Sequence, residues 1–283
     1  MRILATFAHF FDPKGDSYYG STSPDAAPRL KALSEAISAF HQHFGRKQAK
    51  VLNRIKRIMT PANAETAFDI DVVVCTTGGK HLAGEIELRD GDFEHKETQA
   101  EPMMLGFECH AVLRERLGDY DFYCFLEDDL VIRDPWFFAK LQWFAENAGN
   151  EALLMPNRYE LSGTEPIAKL YIDGHVDEKF AGQWQDVSDR RQITAKVMGR
   201  TVILERPNNP HAGCFFLNSA QMETWAAKPY FLDRDVSFAG PLESAATLGV
   251  MKTFRIYKPA PPQAGFFEIH HANARYLGNW LKL

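Results

Sequence analysis

The sequence predicts an α/β fold: one domain in which a mixed central β-sheet is flanked by helices. Short apolar runs of strand length alternate with longer stretches whose apolar residues recur every three or four positions. No internal repeat and no linker composition interrupts the 283 residues, so 1–283 reads as one domain. Its first half, 1–130, is expected to be an α/β unit that passes into a mixed sheet over 131–283. A composition 45% apolar and 24% charged is that of a soluble globular chain, which excludes disorder.

The elements follow in order. Residues 3–7 form a run suited to a buried strand, and the polar loop 12–28 is longer than a tight connection needs. A helix should follow, with Pro28 in its first turn and Leu30, Leu33, Ile37, Phe40 and Phe44 on one face. DIDVVVCTT (69–77) is a second strand closed by Gly78 and Gly79, and 80–100 is assigned to loop and sheet edge. GFECHAVLRERLGDY predicts a helix with Phe107, Ala111 and Leu117 inward and Gly118 past its end. After a strand over 122–126, Asp134 is placed to cap a helix with Pro135 in its first turn, Phe137, Phe138, Leu141 and Phe144 on its apolar face, and Gly149 as terminator. In the second half EALLMPN, PIAKLYI, RTVILER and GCFFLNS read as strands and 173–200 as irregular. SAQMETWAAK predicts a helix capped by Ser219, GPLESAATLGV a helix from Pro241, and KTFRIYKP a last strand before the tail.

A formal charge of −5 argues against a chain built mainly to hold nucleic acid. Cys75, Cys109, Cys124 and Cys214 form no CxxC pair, and at least three lie in apolar runs, which points to buried free thiols and a reducing compartment. The amino terminus lacks a secretory pattern and no apolar run has membrane-spanning length, so a cytoplasmic protein without a transmembrane segment is expected.

The chemistry concentrates in LEDDL, where an apolar strand ends in Glu127, Asp128 and Asp129. Continued alternation would send Glu127 and Asp129 to one side and Asp128 to the other. In open α/β sheets ligands gather at the carboxyl ends of strands. Adjacent carboxylates repel and stay ionised when solvated, paired with a base, or bound to an oxygen-loving cation such as Mg²⁺ or Mn²⁺, which in turn accepts phosphate oxygens. The plain alternative is a polar turn after a strand.

With this motif the chain resembles the GT-A fold glycosyltransferases, particularly small bacterial enzymes similar to glycosyltransferase family 2. There the EDD form of the DxD motif ends a central strand and binds Mn²⁺ or Mg²⁺. The resemblance implies a Rossmann-like GT-A domain with a nucleotide-sugar-binding half over 1–130, an acceptor-binding half and tail over 131–283, and a role in bacterial glycan or polysaccharide synthesis. It implies Asp129 as metal ligand, with Glu127 and Asp128 on the ribose or donor sugar. RILATFAHFF resembles the family's first strand, making Thr6, Ala8 and His9 candidates for the nucleotide. Glu243, opening a helix ahead of a strand, matches the general base facing the acceptor hydroxyl; favourable placement at a helix N-terminus is its ordinary explanation. From EIHHANAR, His270 or His271 would complete the metal shell and Arg275 would meet the diphosphate. NNPHAGCFFLNS is read as acceptor wall, with Gly213 allowing close backbone approach; Trp184 and Tyr230 are as well explained by packing as by sugar stacking. Ser244 stands where a second carboxylate is wanted, which leaves the stereochemical outcome open. The implied partners are a nucleotide diphosphate sugar and a glycan or other hydroxyl acceptor. Two other classes stay in view: a metal-dependent nucleotidyl or phosphoryl transferase, and a noncatalytic carbohydrate-binding protein with a structural Ca²⁺.

Overall fold

The computed structural model describes residues 1–15, 20–272 and 275–280, without the side chains of 279 and 280. Parts of the loop 12–28 and of the tail therefore lie outside the described residues. The chain begins with β1 (Arg2–Ala8), α1 (Ala27–Phe44), a hairpin of β2 (Lys50–Asn53) and β3 (Ile58–Pro61), β4 (Asp69–Thr77), β5 (Glu94–Thr98) and α2 (Leu105–Glu115). Next come β6 (Phe122–Glu127), β7 (Leu130–Val131), α3 (Phe137–Ala148), β8 (Ala152–Leu154), β9 (Asn157–Leu161) and β10 (Lys169–Tyr171). It closes with β11 (Gln192–Val197), β12 (Arg200–Glu205), β13 (Cys214–Asn218), α4 (Ser219–Ala226), α5 (Pro241–Thr253), β14 (Arg255–Pro259), β15 (Glu268–His271) and α6 (Arg275–Trp280).

The central sheet has the order β13-β6-β1-β4-β5. β1 is parallel to both β4 and β6, β4 is parallel to β5, and β13 closes the other edge antiparallel to β6. Parallel neighbours buried on both faces require near-continuous apolar strands, and residues 3–7 and 72–77 supply them. Alternation divides the layers. Phe7 turns to α1, where its ring meets Phe40 edge-on, and Phe122 reaches Phe138 of α3. Phe125 turns to the opposite face, against His110 of α2. The fold is thus mixed α/β with helices on both faces, as expected.

The second half differs in detail from its expectation. Two further four-stranded mixed sheets form, β10-β9-β15-β7 and β11-β12-β14-β8, while β13 joins the first sheet. β9 and β11 fall in stretches not read as strand. β9 carries Arg158 and Glu160, and β11 lies within the segment taken as irregular, its burial alternating between exposed and half-buried. The α2 face is Phe107, Cys109, Val112 and Leu113, whereas Ala111 is half-buried and Leu117 lies past the helix end. α4 is capped by Asn218 rather than Ser219, through a capping box in which the Asn218 side chain accepts from Gln221 N–H. Asp134 accepts from Trp136 N–H one turn ahead of α3. The buried apolar side chains form one cluster drawn from both halves, and all four cysteines are buried free thiols. No helix among the described residues is long and apolar enough to cross a membrane.

Candidate functional site

The three carboxylates sit where β6 ends, beside Ala8 at the end of β1, which pairs with Glu127. The strand stops at Glu127, and Asp128 and Asp129 form a turn before β7. The pleat therefore does not continue, and one cation, Arg29, reaches both: it ion-pairs with Asp128 and places Nη1 3.1 Å from Asp129 Oδ2. Burial opposes the charge on Arg29, but Asp128, then Asp129 and Glu127, outweigh it and raise its pKa. Arg29 occupies the first turn of α1, where a cation is unfavourable to the helix dipole. That local misfit is explained by the carboxylates it meets.

Asp128 is sealed. It has no exposed surface, and its Oδ2 meets Nδ1 of His9, which is equally buried. Leu82 N–H donates to Nε2 of the same ring at 2.9 Å, so Nε2 must be the acceptor and Nδ1 the protonated nitrogen that donates to Asp128. With both ring nitrogens engaged, His9 has nothing left for a nucleotide. Thr6 is also fully buried and donates to Cys124 C=O. His9, Thr6 and Asp128, expected at the donor, make contacts that hold β1, β6 and the turn together. Ala8 is half-buried at the strand end.

Asp129 lies on the more open side. His271 Nε2 stands 3.6 Å from Asp129 Oδ2, beyond hydrogen-bond distance, while its Nδ1–H donates to Glu160 at 2.9 Å. Glu160 has no exposed surface and also accepts from Tyr276 and Leu277 N–H at 3.2 and 2.7 Å. The ring is thereby oriented with Nε2 toward the carboxylate. Burial disfavours the charged imidazole, yet Asp129 and the Glu160 hydrogen bond prevail and raise the His271 pKa. The antiparallel bridges that β15 makes with β7 set this geometry, bringing His271 opposite Leu130. Strand alternation turns His270 away, and its ring stacks on Tyr159 at 5.3 Å. Of the two histidines considered for the metal, His271 faces Asp129 and His270 does not. Arg275, half-buried, opens α6.

Glu127 is the third member. Burial pushes its carboxyl up to about 7, with Arg158 opposing and the negative charges of Asp129 and Glu243 adding to the rise. Arg158 Nη1 lies 3.7 Å from Glu127, and the same guanidinium binds Asp173 at 2.8 Å. Lys258, almost fully buried, completes this group at 3.0 Å from Asp173. Asp173 and Lys258 also line a cavity of about 240 Å³ with Asn157, Tyr171, His175 and Asn209. Gly213 has φ +62°, and a Cβ there would meet Glu127 Oε2 at 2.5 Å. The close approach it permits is thus to Glu127. Glu243 stands in the first turn of α5, half-buried, its carboxylate curled over Gly240, where a Cβ would come to 3.0 Å of Oε2. Trp184 packs edge-on against Phe238, and Tyr230 O–H donates to Lys252 C=O.

Arg29, Arg158, Glu160, Asp173 and Lys258 are absent from the sequence reading. A signal for two of them exists: Arg158 and Glu160 stand two apart in a short run, charges on one face of a strand.

Among the described residues no group of three or more His, Cys, Asp or Glu gathers as a metal site. Asp129 and His271 bring one carboxylate and one imidazole together, a donor pair of the kind Mn²⁺ accepts, with Arg29 on the same Asp129 oxygen. A histidine whose second nitrogen is fixed by a buried carboxylate is the usual support of a metal-ligating imidazole.

No protein-family model matches the chain, and no curated protein matches it. Among solved structures, the apo crystal structure of mouse xyloside xylosyltransferase 1 aligns over 96% of this chain and 98% of its own, with a TM-score of 0.44 and 10% sequence identity. A likeness that loose assigns no function.

Proposed function

We propose that the protein is a nucleotide-sugar-dependent glycosyltransferase whose donor diphosphate lies over the turn after β6, with Asp129 and His271 holding Mn²⁺ or Mg²⁺. The observation that carries this reading is the Glu160–His271 hydrogen bond, which aims Nε2 at Asp129 beside the carboxyl end of a parallel strand. Bound there, the cation would neutralise charge on the departing diphosphate. Glu127, near neutral in its affinity for a proton, would share a hydrogen with a hydroxyl of the donor, and Arg275 would meet the diphosphate. Glu243 would take the proton of the acceptor hydroxyl as its oxygen bonds to the anomeric carbon and the bond to diphosphate breaks, a single displacement with inversion. Asp128 acts through Arg29 and His9 by fixing the turn.

The experiment is a thermal-shift titration of nucleoside diphosphates with and without Mn²⁺, paired with turnover of nucleotide sugars. Asp129→Ala should remain folded and lose the Mn²⁺-dependent stabilisation. Glu243→Gln should keep that stabilisation while turnover drops about a hundredfold. Metal-dependent nucleotide binding that survives in Asp129→Ala overturns the ligand assignment. Wild-type turnover in Glu243→Gln leaves that residue with its helix-terminal role alone.

A further inference from the structure

Far from the carboxylates, β2 and β3 form a hairpin that joins no other strand. It leaves the body just after α1, whose opposite end carries Arg29. The helix from Arg29 to Phe44 therefore separates it from the site, about 23 Å along the axis. All residues from 50 to 61 are exposed. Five of them are large and apolar: Val51 at 57%, Leu52 at 60%, Ile55 at 94%, Ile58 at 49% and Met59 at 63%. Leu52 lies opposite Met59 on one face, Val51 and Ile58 share the other, and Ile55 is at the tip. A two-stranded hairpin in water has little stability of its own, and one that shows oil on both faces and at its end calls for a cover.

The charge pattern identifies the cover. Between 46 and 57 the chain carries Arg46, Lys47, Lys50, Arg54, Lys56 and Arg57 and no carboxylate, in a protein whose net charge is −5. Arg46 is bound to Asp69, and no ion pair is made by the other five among the described residues. We infer that this hairpin is a membrane anchor whose tip, Ile55 set among Arg54, Lys56 and Arg57, enters the headgroups of an anionic lipid surface, with Val51, Leu52, Ile58 and Met59 behind it. A lipid interface surrounds a projecting element on every side, which matches apolar residues on two faces and a tip; a protein partner or a second copy would cover one face, and a second copy would bring like charges together. The hairpin contains no aromatic residue, so it offers no stacking platform for single-stranded nucleic acid. Cations that flank inserted apolar side chains are attracted to anionic headgroups while their alkyl stems lie along those side chains.

The test is sedimentation of the whole protein with phosphatidylcholine vesicles, with and without phosphatidylglycerol. Wild type should sediment with the mixed vesicles and remain in solution with the neutral ones. Leu52→Ser/Ile55→Ser and Arg54→Glu/Lys56→Glu alter exposed positions, so both should keep the wild-type circular dichroism and each should bind mixed vesicles about tenfold or more weakly. Wild type left in solution overturns the anchor. So does wild-type binding by Leu52→Ser/Ile55→Ser, which would mark a site for soluble polyanions. Self-association that depends on Leu52 and Ile55, without vesicle binding, also overturns it in favour of a contact between copies.

Discussion

Two histidine–carboxylate pairs flank the turn after β6, and they have opposite characters. His9 and Asp128 are wholly buried, in hydrogen-bond contact, with the second ring nitrogen held by Leu82 N–H. His271 and Asp129 are each about a tenth exposed at the side chain and 3.6 Å apart, with the second ring nitrogen held by a buried carboxylate. A backbone N–H behind the imidazole makes it a neutral donor and closes the pair. A carboxylate behind the imidazole leaves Nε2 directed at Asp129 and makes the ring more basic. The same two residue types thus give a fastening on one side and a candidate ligand pair on the other, and what stands behind the ring decides which.

The largest expected effect comes from opening the fastening. Asp128→Ala would leave His9 Nδ1–H buried without its acceptor and Arg29 with Asp129 alone, and should cost about 3–5 kcal/mol in urea unfolding. A loss below about 1 kcal/mol would show the pair to be no fastening. On the other side, Glu160→Gln removes one acceptor from the group behind His271. It should weaken Mn²⁺ binding about tenfold in calorimetry while the protein stays folded; unchanged affinity would detach Glu160 from the site.

The smallest effect is a pH slope confined to the open side. In chelator, the raised pKa of His271 contributes stability that is complete below its ordinary value of 6.5 and is lost as pH rises through the folded value. Glu127, raised from 4.5 to about 7, contributes stability present below 4.5 and lost as pH climbs through that window. Both act in one direction, so the metal-free protein should lose stability between about pH 5 and 8, and Glu127→Gln/His271→Gln should flatten the slope. Asp173, held low by Arg158 and Lys258 against burial, gives stability that is present above 3.8 and lost below it, outside this window. A slope that persists in the double variant would place its origin elsewhere.

Much of the framework is legible in the sequence. β1, β4, β6, β13 and the helices α1 to α5 announce themselves through apolar period and turn residues, because each buries a face set by its own repeat. The position of the carboxylate cluster at a strand end is legible for the same reason. β9 and β11 are not: one places charges on the buried face, and the other alternates weakly at the surface. The division between Asp128 and Asp129 was decided by the tertiary structure. His9 lies 119 positions from Asp128, Arg29 lies 100 from Asp129, and Glu160 lies 111 from His271. Hydrogen bonds and ion pairs across such separations leave no periodic trace along the chain, since their geometry exists only once the sheets have brought the strand ends together.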